Sequence, residues 1–173
     1  YMTDWSVTKG FIPVDATSGA NLLGKFAENG MAQIAGTDYL QTLLFNLGGP
    51  AGEISAAALL LGFVYLLARR VIKPWITLSI WGSIVIFSGI FWLCGNGQYP
   101  DPLFNLLTGG VLLGSIFMAT DYVTSPLTGL GQVVYGIGCG VLTVLIRYFG
   151  GYSEGVSYAI LCMNCCVVLL DRI

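Results

Sequence analysis

Histidine is absent from these 173 residues, and charge is scarce: seven lysines and arginines and nine acids make up 9% of the chain. Without histidine, the chain lacks the commonest transition-metal ligand and the side chain best suited to proton transfer near neutral pH. Soluble domains carry about 25% charged residues, and that surface charge holds a globule in water. A chain this poor in charge needs another solvent. Its net charge of −2 offers no basic surface for nucleic acid. Strict apolar–polar alternation, the mark of barrel strands, is missing too, because the apolar runs are continuous. Helices remain, since they satisfy their own backbone hydrogen bonds inside lipid. What is abundant agrees: 55% hydrophobic residues and 24 glycines, with a mean hydropathy of +0.79. Glycine at this level suits close helix packing in a bilayer. The expected fold class is an all-α integral membrane protein.

Punctuation divides the chain. Residues 1–50 mix polar and apolar positions around Gly10, Pro13, Gly19 and Gly24 and read as an extended segment with one short helix. Residues 51–173 read as a transmembrane domain of about five helices, each near the length that crosses the hydrocarbon. The expected spans are 54–68, 75–94, 103–119, 127–148 and 155–170. They are separated by Arg69-Arg70-x-x-Lys73-Pro74, Gly95-Asn96-Gly97, Asp121 to Pro126, and Gly150-Gly151. With five spans, Arg69, Arg70, Lys73 and Arg172 share one face, and Lys9, Lys25 and Arg147 share the other. The denser cluster marks the cytoplasmic face, so the N-terminal segment is expected outside and the C-terminus inside. The sequence opens on Tyr1, with no start methionine and no signal peptide. It is expected to begin inside a longer chain or to have been processed.

The most specific stretch is Val14-Asp15-Ala16-Thr17-Ser18-Gly19-Ala20. It resembles the D-x-x-S/T-G-A-T flavinylation motif of the Rnf and Nqr respiratory complexes, whose last threonine carries FMN through a phosphoester. Here Asn21 follows Ala20 where that family has threonine. Either the threonine is absent, which abolishes this attachment, or it stands between Ala20 and Asn21 as a flavin-modified residue outside the twenty standard letters. Thr17 and Ser18 are alternative hydroxyls. The plain reading of the stretch is a surface turn.

Further pieces follow in order. They are Gly48-Gly-Pro-Ala-Gly-Glu53-Ile-Ser, Thr120-Asp121-Tyr-Val-Thr-Ser-Pro126, Arg147-Tyr-Phe-Gly-Gly-Tyr-Ser-Glu154-Gly, then Asn164 and Asp171. The ordered set is similar to the C-terminal half of the RnfD/NqrB family. The resemblance implies a subunit of about ten helices in two related halves, of which this chain is the second. It also implies electron transfer between ferredoxin and NAD coupled to Na⁺ or H⁺ transport, in the inner (cytoplasmic) membrane of a prokaryote. Iron–sulfur and flavoprotein subunits of the Rnf complex would be its partners. FMN would be its covalent cofactor and riboflavin a second flavin with no residue assigned. Two rivals stay open: an NqrB-type protein that passes electrons toward quinone, and a transporter or channel half with no redox role.

Other residues are weighed individually. Glu53, Asp121 and Asp171 sit near span ends, where an acid is either simply solvated or part of an ion path; Asp121 is the best candidate for the path. Arg147 and Glu154 read as a clamp at the Gly150-Gly151 turn, with a flavin contact as the alternative. Cys162-x-x-Cys165-Cys166 lies in an apolar helical run without a fourth ligand nearby. These cysteines are expected to be small buried hydrophobes rather than cluster ligands. No metal site is expected.

Overall fold

A computed structural model describes residues 55–95, 99–150, 152 and 154–172. The segment 1–50 and Glu53 lie outside the described residues, and with them Asp15, Thr17, Ser18, Gly19, Ala20 and Asn21.

The described residues are helical and contain no strand. Helix α1 spans Ala56–Ala68 and α2 spans Pro74–Cys94. A short α3, Pro102–Leu107, is followed by α4, Val111–Leu113, which continues into a π-helical turn at Gly114–Met118. Helix α5 spans Gly129–Phe149 and α6 spans Val156–Leu170. Side chains start three of them locally. Ser55 Oγ accepts the Ala58 N–H at 3.2 Å, Thr128 Oγ1 accepts the Gly131 N–H at 3.2 Å, and Pro74 opens α2. A first-turn proline gives up only an N–H that has no helical partner. Helix α1 ends in a tight left-handed turn at Arg70, φ 54°. There the Val71 N–H reaches the Leu66 carbonyl at 3.0 Å and the Arg70 N–H reaches the Leu67 carbonyl at 3.0 Å.

Four of the five expected spans occur as single helices displaced by no more than two residues. Two of them, α2 and α5, are long and apolar enough to cross a membrane; α1 and α6 are shorter apolar helices. The third expected span, 103–119, is corrected: it is not one helix. Thr108 turns extended, with ψ 145°, and Gly109 takes φ 70°, so the backbone breaks between α3 and α4. The broken segment still runs the length of the bundle. Pro102 begins it beside Gly89 of α2, and beyond its far end the Tyr122 hydroxyl bonds the Val71 carbonyl at 2.6 Å.

The core is built on α2 against α5. Ile76, Ile80 and Ile84 recur every four residues on α2 and are all buried. On α5 the buried positions are Gln132, Tyr135, Gly136, Cys139, Gly140, Thr143, Val144 and Arg147, with Gly131 at the start. Gly136 and Gly140 let the two backbones close up. A Cβ at Gly136 would stand 2.8 Å from the Ile76 carbonyl oxygen, and one at Gly140 would stand 2.9 Å from that of Ile80. Each would also overlap a serine hydroxyl, Ser79 or Ser83. Those hydroxyls are turned onto their own helix, donating to Ile76 and Ile80 carbonyls at 2.9 Å each. Leu130, Val134, Ile137, Leu145 and Phe149 of the same helix face outward. Apart from Tyr135, Cys139 and Val144, the inner face of α5 is small or polar, and its outer face is large and apolar, whereas a helix in a water-soluble domain turns its polar face outward.

Candidate functional site

The break between α3 and α4 leaves backbone groups that neither half can satisfy alone. The structure meets them with two charged side chains from the α5–α6 connection. Arg147, in the last turn of α5, donates from Nη1 to the Asn105 carbonyl at 2.6 Å and from Nη2 to the Thr108 carbonyl at 3.0 Å. Glu154, just before α6, accepts the Gly110 N–H on Oε2 at 3.0 Å. The guanidinium thus closes the end of α3 and the carboxylate opens α4. Arg147 is buried, and its planar fork suits two carbonyls at once. Arg147 and Glu154, expected as a clamp at the Gly150-Gly151 turn, each hold the interrupted α3–α4 segment.

A polar cluster adjoins it. Asn105, buried on α3, donates from Nδ2 to Ser88 Oγ at 2.7 Å and to the Tyr148 hydroxyl at 2.8 Å. Ser88 and Tyr148 lie 2.9 Å apart. Tyr148 packs edge-on to Phe91 and against Tyr99, with ring centroids 5.3 and 4.8 Å away. One small region thus joins α2, α3 and α5. It sits at the end of the bundle where α2 and α5 finish and α6 begins. The one signal for this cluster in the sequence is Asn105 itself, a polar residue inside an apolar run.

The π-turn has its own support. The Ala119 N–H reaches back to the Gly114 carbonyl at 2.8 Å. The Ser115 carbonyl accepts the Thr77 hydroxyl at 3.1 Å, and Ser115 Oγ accepts the Trp81 indole N–H at 2.8 Å. Gly114 is required there because a Cβ would meet Val156 Cγ1 at 2.5 Å. Trp81 is therefore a packing residue, whereas Trp75 and Trp92 are exposed.

Two of the candidate ion-path acids, Asp121 and Asp171, lie at the opposite end. Asp121 is exposed, and the Thr124 hydroxyl approaches its Oδ2 at 3.4 Å. Asp171 accepts the Leu127 N–H on Oδ1 at 2.8 Å, tying the end of α6 to the start of α5. The cysteines do not match the expectation of burial. Cys139 alone is buried, whereas Cys94, Cys162, Cys165 and Cys166 are exposed. On α6 the last three face outward with Leu161, Val168 and Leu169. Among the described residues, no group of three or more acids and cysteines is arranged to hold a metal ion.

The whole chain, residues 1–173, matches the sequence profile of the NQR2, RnfD, RnfE family. Among its relatives is the D component of the Na(+)-translocating ferredoxin:NAD(+) oxidoreductase complex of Acetobacterium woodii. The two are 41% identical over 94% of this chain, which covers 49% of that protein. The D component of the proton-translocating ferredoxin:NAD(+) oxidoreductase complex of Clostridium ljungdahlii is 37% identical over 99% of the chain, with 53% of its own length covered. The D component of the ion-translocating oxidoreductase complex of Stutzerimonas stutzeri is 37% identical over 92% of the chain, with 47% of its own length covered. The chain spans about half the length of the curated relatives it matches.

Proposed function

The chain belongs to the NQR2, RnfD, RnfE family, and on that premise we propose that it is the flavin-bearing second half of an RnfD-type membrane protein. The complex around it would be an ion-translocating ferredoxin:NAD⁺ oxidoreductase, moving Na⁺ or H⁺. The observation that carries the reading is the match to these relatives along 92–99% of this chain. The names of the Acetobacterium and Clostridium proteins favour the ferredoxin-linked reading over an NqrB-type quinone reductase.

The structure supports a membrane setting through α5, whose large apolar residues point outward while glycine, glutamine, threonine and arginine point in. Lipid is the solvent in which that arrangement is stable. With Arg69, Arg70 and Lys73 on the cytoplasmic side, the end carrying Asn105, Tyr148 and Arg147 is extracytoplasmic. It then shares a side with residues 1–50.

FMN is the cofactor of this reading. Its isoalloxazine ring exchanges electrons one or two at a time, linking iron–sulfur carriers to other flavins. The protein's share is to hold it. A phosphoester needs a hydroxyl in a loop that an attaching enzyme can grip, and the small residues Ser18, Gly19 and Ala20 fit that need. The decisive hydroxyl is a threonine between Ala20 and Asn21. Mass spectrometry of the peptide across Ala20 and Asn21, with ultraviolet fluorescence after denaturing electrophoresis, tests the assignment. A flavin-fluorescent band and an FMN-bearing threonine are expected. A bare peptide reading Ala20-Asn21 and a dark band would refute it.

A further inference from the structure

At the end of the bundle that carries Arg69, Arg70 and Lys73, a cavity of about 80 Å³ opens between the α1–α2 link, the end of the broken crossing and the first turn of α5. Val71, Lys73, Thr120, Tyr122, Leu127 and Gln132 are among its walls.

Gln132 is only 6% exposed. Its Nε2 donates to the Pro126 carbonyl at 3.0 Å. That bond fixes the amide, since turning it over would set oxygen against oxygen. Oε1 is left buried and without a hydrogen-bond partner among the described residues. A buried acceptor in that state calls for a donor. Two hydroxyls in the same wall have spent their protons. Thr120 donates to the Ile116 carbonyl at 2.6 Å, and Tyr122 donates to the Val71 carbonyl at 2.6 Å. The cavity is therefore lined by three residues, Gln132, Thr120 and Tyr122, whose side-chain oxygens can only accept. A primary ammonium has three N–H donors and no acceptor.

The rim carries the opposite demand. Lys73 is exposed, and the exposed Arg69 and Arg70 precede it in the chain. This positive rim disfavours a bare cation and favours an anion beside the ammonium. The walls are mostly apolar, and Val71, Tyr122 and Leu127 are themselves exposed. An occupant with an ammonium, an adjoining phosphate and hydrocarbon chains answers all three conditions.

We propose that this cavity takes the headgroup of an aminophospholipid, with the ammonium on Gln132 Oε1, Thr120 Oγ1 and the Tyr122 oxygen, and the phosphate at Lys73. The proposal rests on the membrane reading above and goes beyond it.

The test uses the full-length membrane protein, purified in detergent and exchanged into mixed micelles of phosphatidylethanolamine, phosphatidylcholine or phosphatidylglycerol. Phosphatidylcholine keeps the phosphate and a positive nitrogen but has no N–H. Native mass spectrometry should show retention of the ethanolamine lipid over the choline lipid by about fivefold, the ratio one net hydrogen bond supplies. Thermal midpoints should rank the lipids in the same order. Gln132→Met, similar in length but without the acceptor, should bring the ratio to about one, and Lys73→Gln should weaken retention of both lipids. Thr120→Val gives a second, independent reduction of the ratio should Gln132→Met fail to fold. Equal retention of the two lipids by the native protein would overturn the proposal, as would stabilisation by NaCl alone matching that of the lipid. A preference that survives Gln132→Met would overturn it too. Carbonate extraction of membranes is the separate control: release of the chain would sink the membrane reading itself.

Discussion

Removing the Arg147 guanidinium should unfasten the broken crossing. In Arg147→Met the stem that packs inside the bundle is largely kept, while the Asn105 and Thr108 carbonyls lose donors at 2.6 and 3.0 Å. Each such charge-assisted bond contributes about 1.5–3 kcal/mol, so the pair contributes roughly 3–6. Deleting a buried cation also returns its desolvation cost, which offsets part of that sum. A net loss of about 3 kcal/mol is expected. Arg147→Lys keeps the charge but has a point donor instead of a fork, and one ammonium does not span two carbonyls in the same way. It should lose about half as much. Glu154→Gln retains an oxygen for the Gly110 N–H and should cost about 1 kcal/mol.

Reversible denaturation of the purified protein in micelles, by urea or by a denaturing detergent fraction, reads these values. Hydrogen exchange at Asn105 to Gly110 locates the loss. The order native, Glu154→Gln, Arg147→Lys, Arg147→Met is the signature. If all three variants fall within about 0.5 kcal/mol of the native protein, ordered water satisfies those carbonyls and the clamp argument is wrong.

Two other outcomes follow from the geometry, and a third from the proposed function. Gly136→Val should force α2 from α5, because its Cβ would meet the Ile76 carbonyl oxygen at 2.8 Å and the Ser79 hydroxyl; a loss of at least about 2 kcal/mol in the same denaturation assay is expected. Arg70→Gly should stabilise the chain by about 0.5–1 kcal/mol, since a left-handed turn strains any residue with a Cβ. Asp121→Asn in the assembled complex should impair ion uptake by inverted vesicles while the flavin-fluorescent band stays intact. Unchanged uptake would leave Asp121 as a solvated loop acid.

Much of the helical order is legible in the sequence, because apolar runs ended by Arg-Arg, Gly-Asn-Gly and Gly-Gly admit few other divisions. The break in the third apolar run is not. Thr108-Gly109-Gly110 sits in a run whose hydropathy hides it, and glycines in such a run also read as packing residues. What decides for a break is that Arg147 and Glu154, about forty residues on, reach back to the carbonyls and N–H that the break exposes. Such a partnership is set by tertiary structure and leaves no local trace. Gln132 escapes a sequence reading for a similar reason. One glutamine at a helix start is ordinary, and only its buried, unmatched oxygen sets it apart.

The cysteines show the same principle from the other side. Cysteine is usually buried in water-soluble domains, and that habit is what suggests a core position for Cys162, Cys165 and Cys166. In lipid, an outward position is no less apolar than an inward one, so burial ceases to sort small apolar residues. What still sorts is hydrogen bonding. Asn105, Ser88, Thr77, Thr143 and Arg147 are all buried and all bonded. The interior of this bundle is therefore specified by its bonded polar residues as well as by the buried Ile76, Ile80 and Ile84. A substitution that exchanges leucine for valine on the outer face of α5 should be close to silent, whereas exchanging Asn105 for leucine, of similar size, should leave the Ser88 and Tyr148 hydroxyls without their common donor.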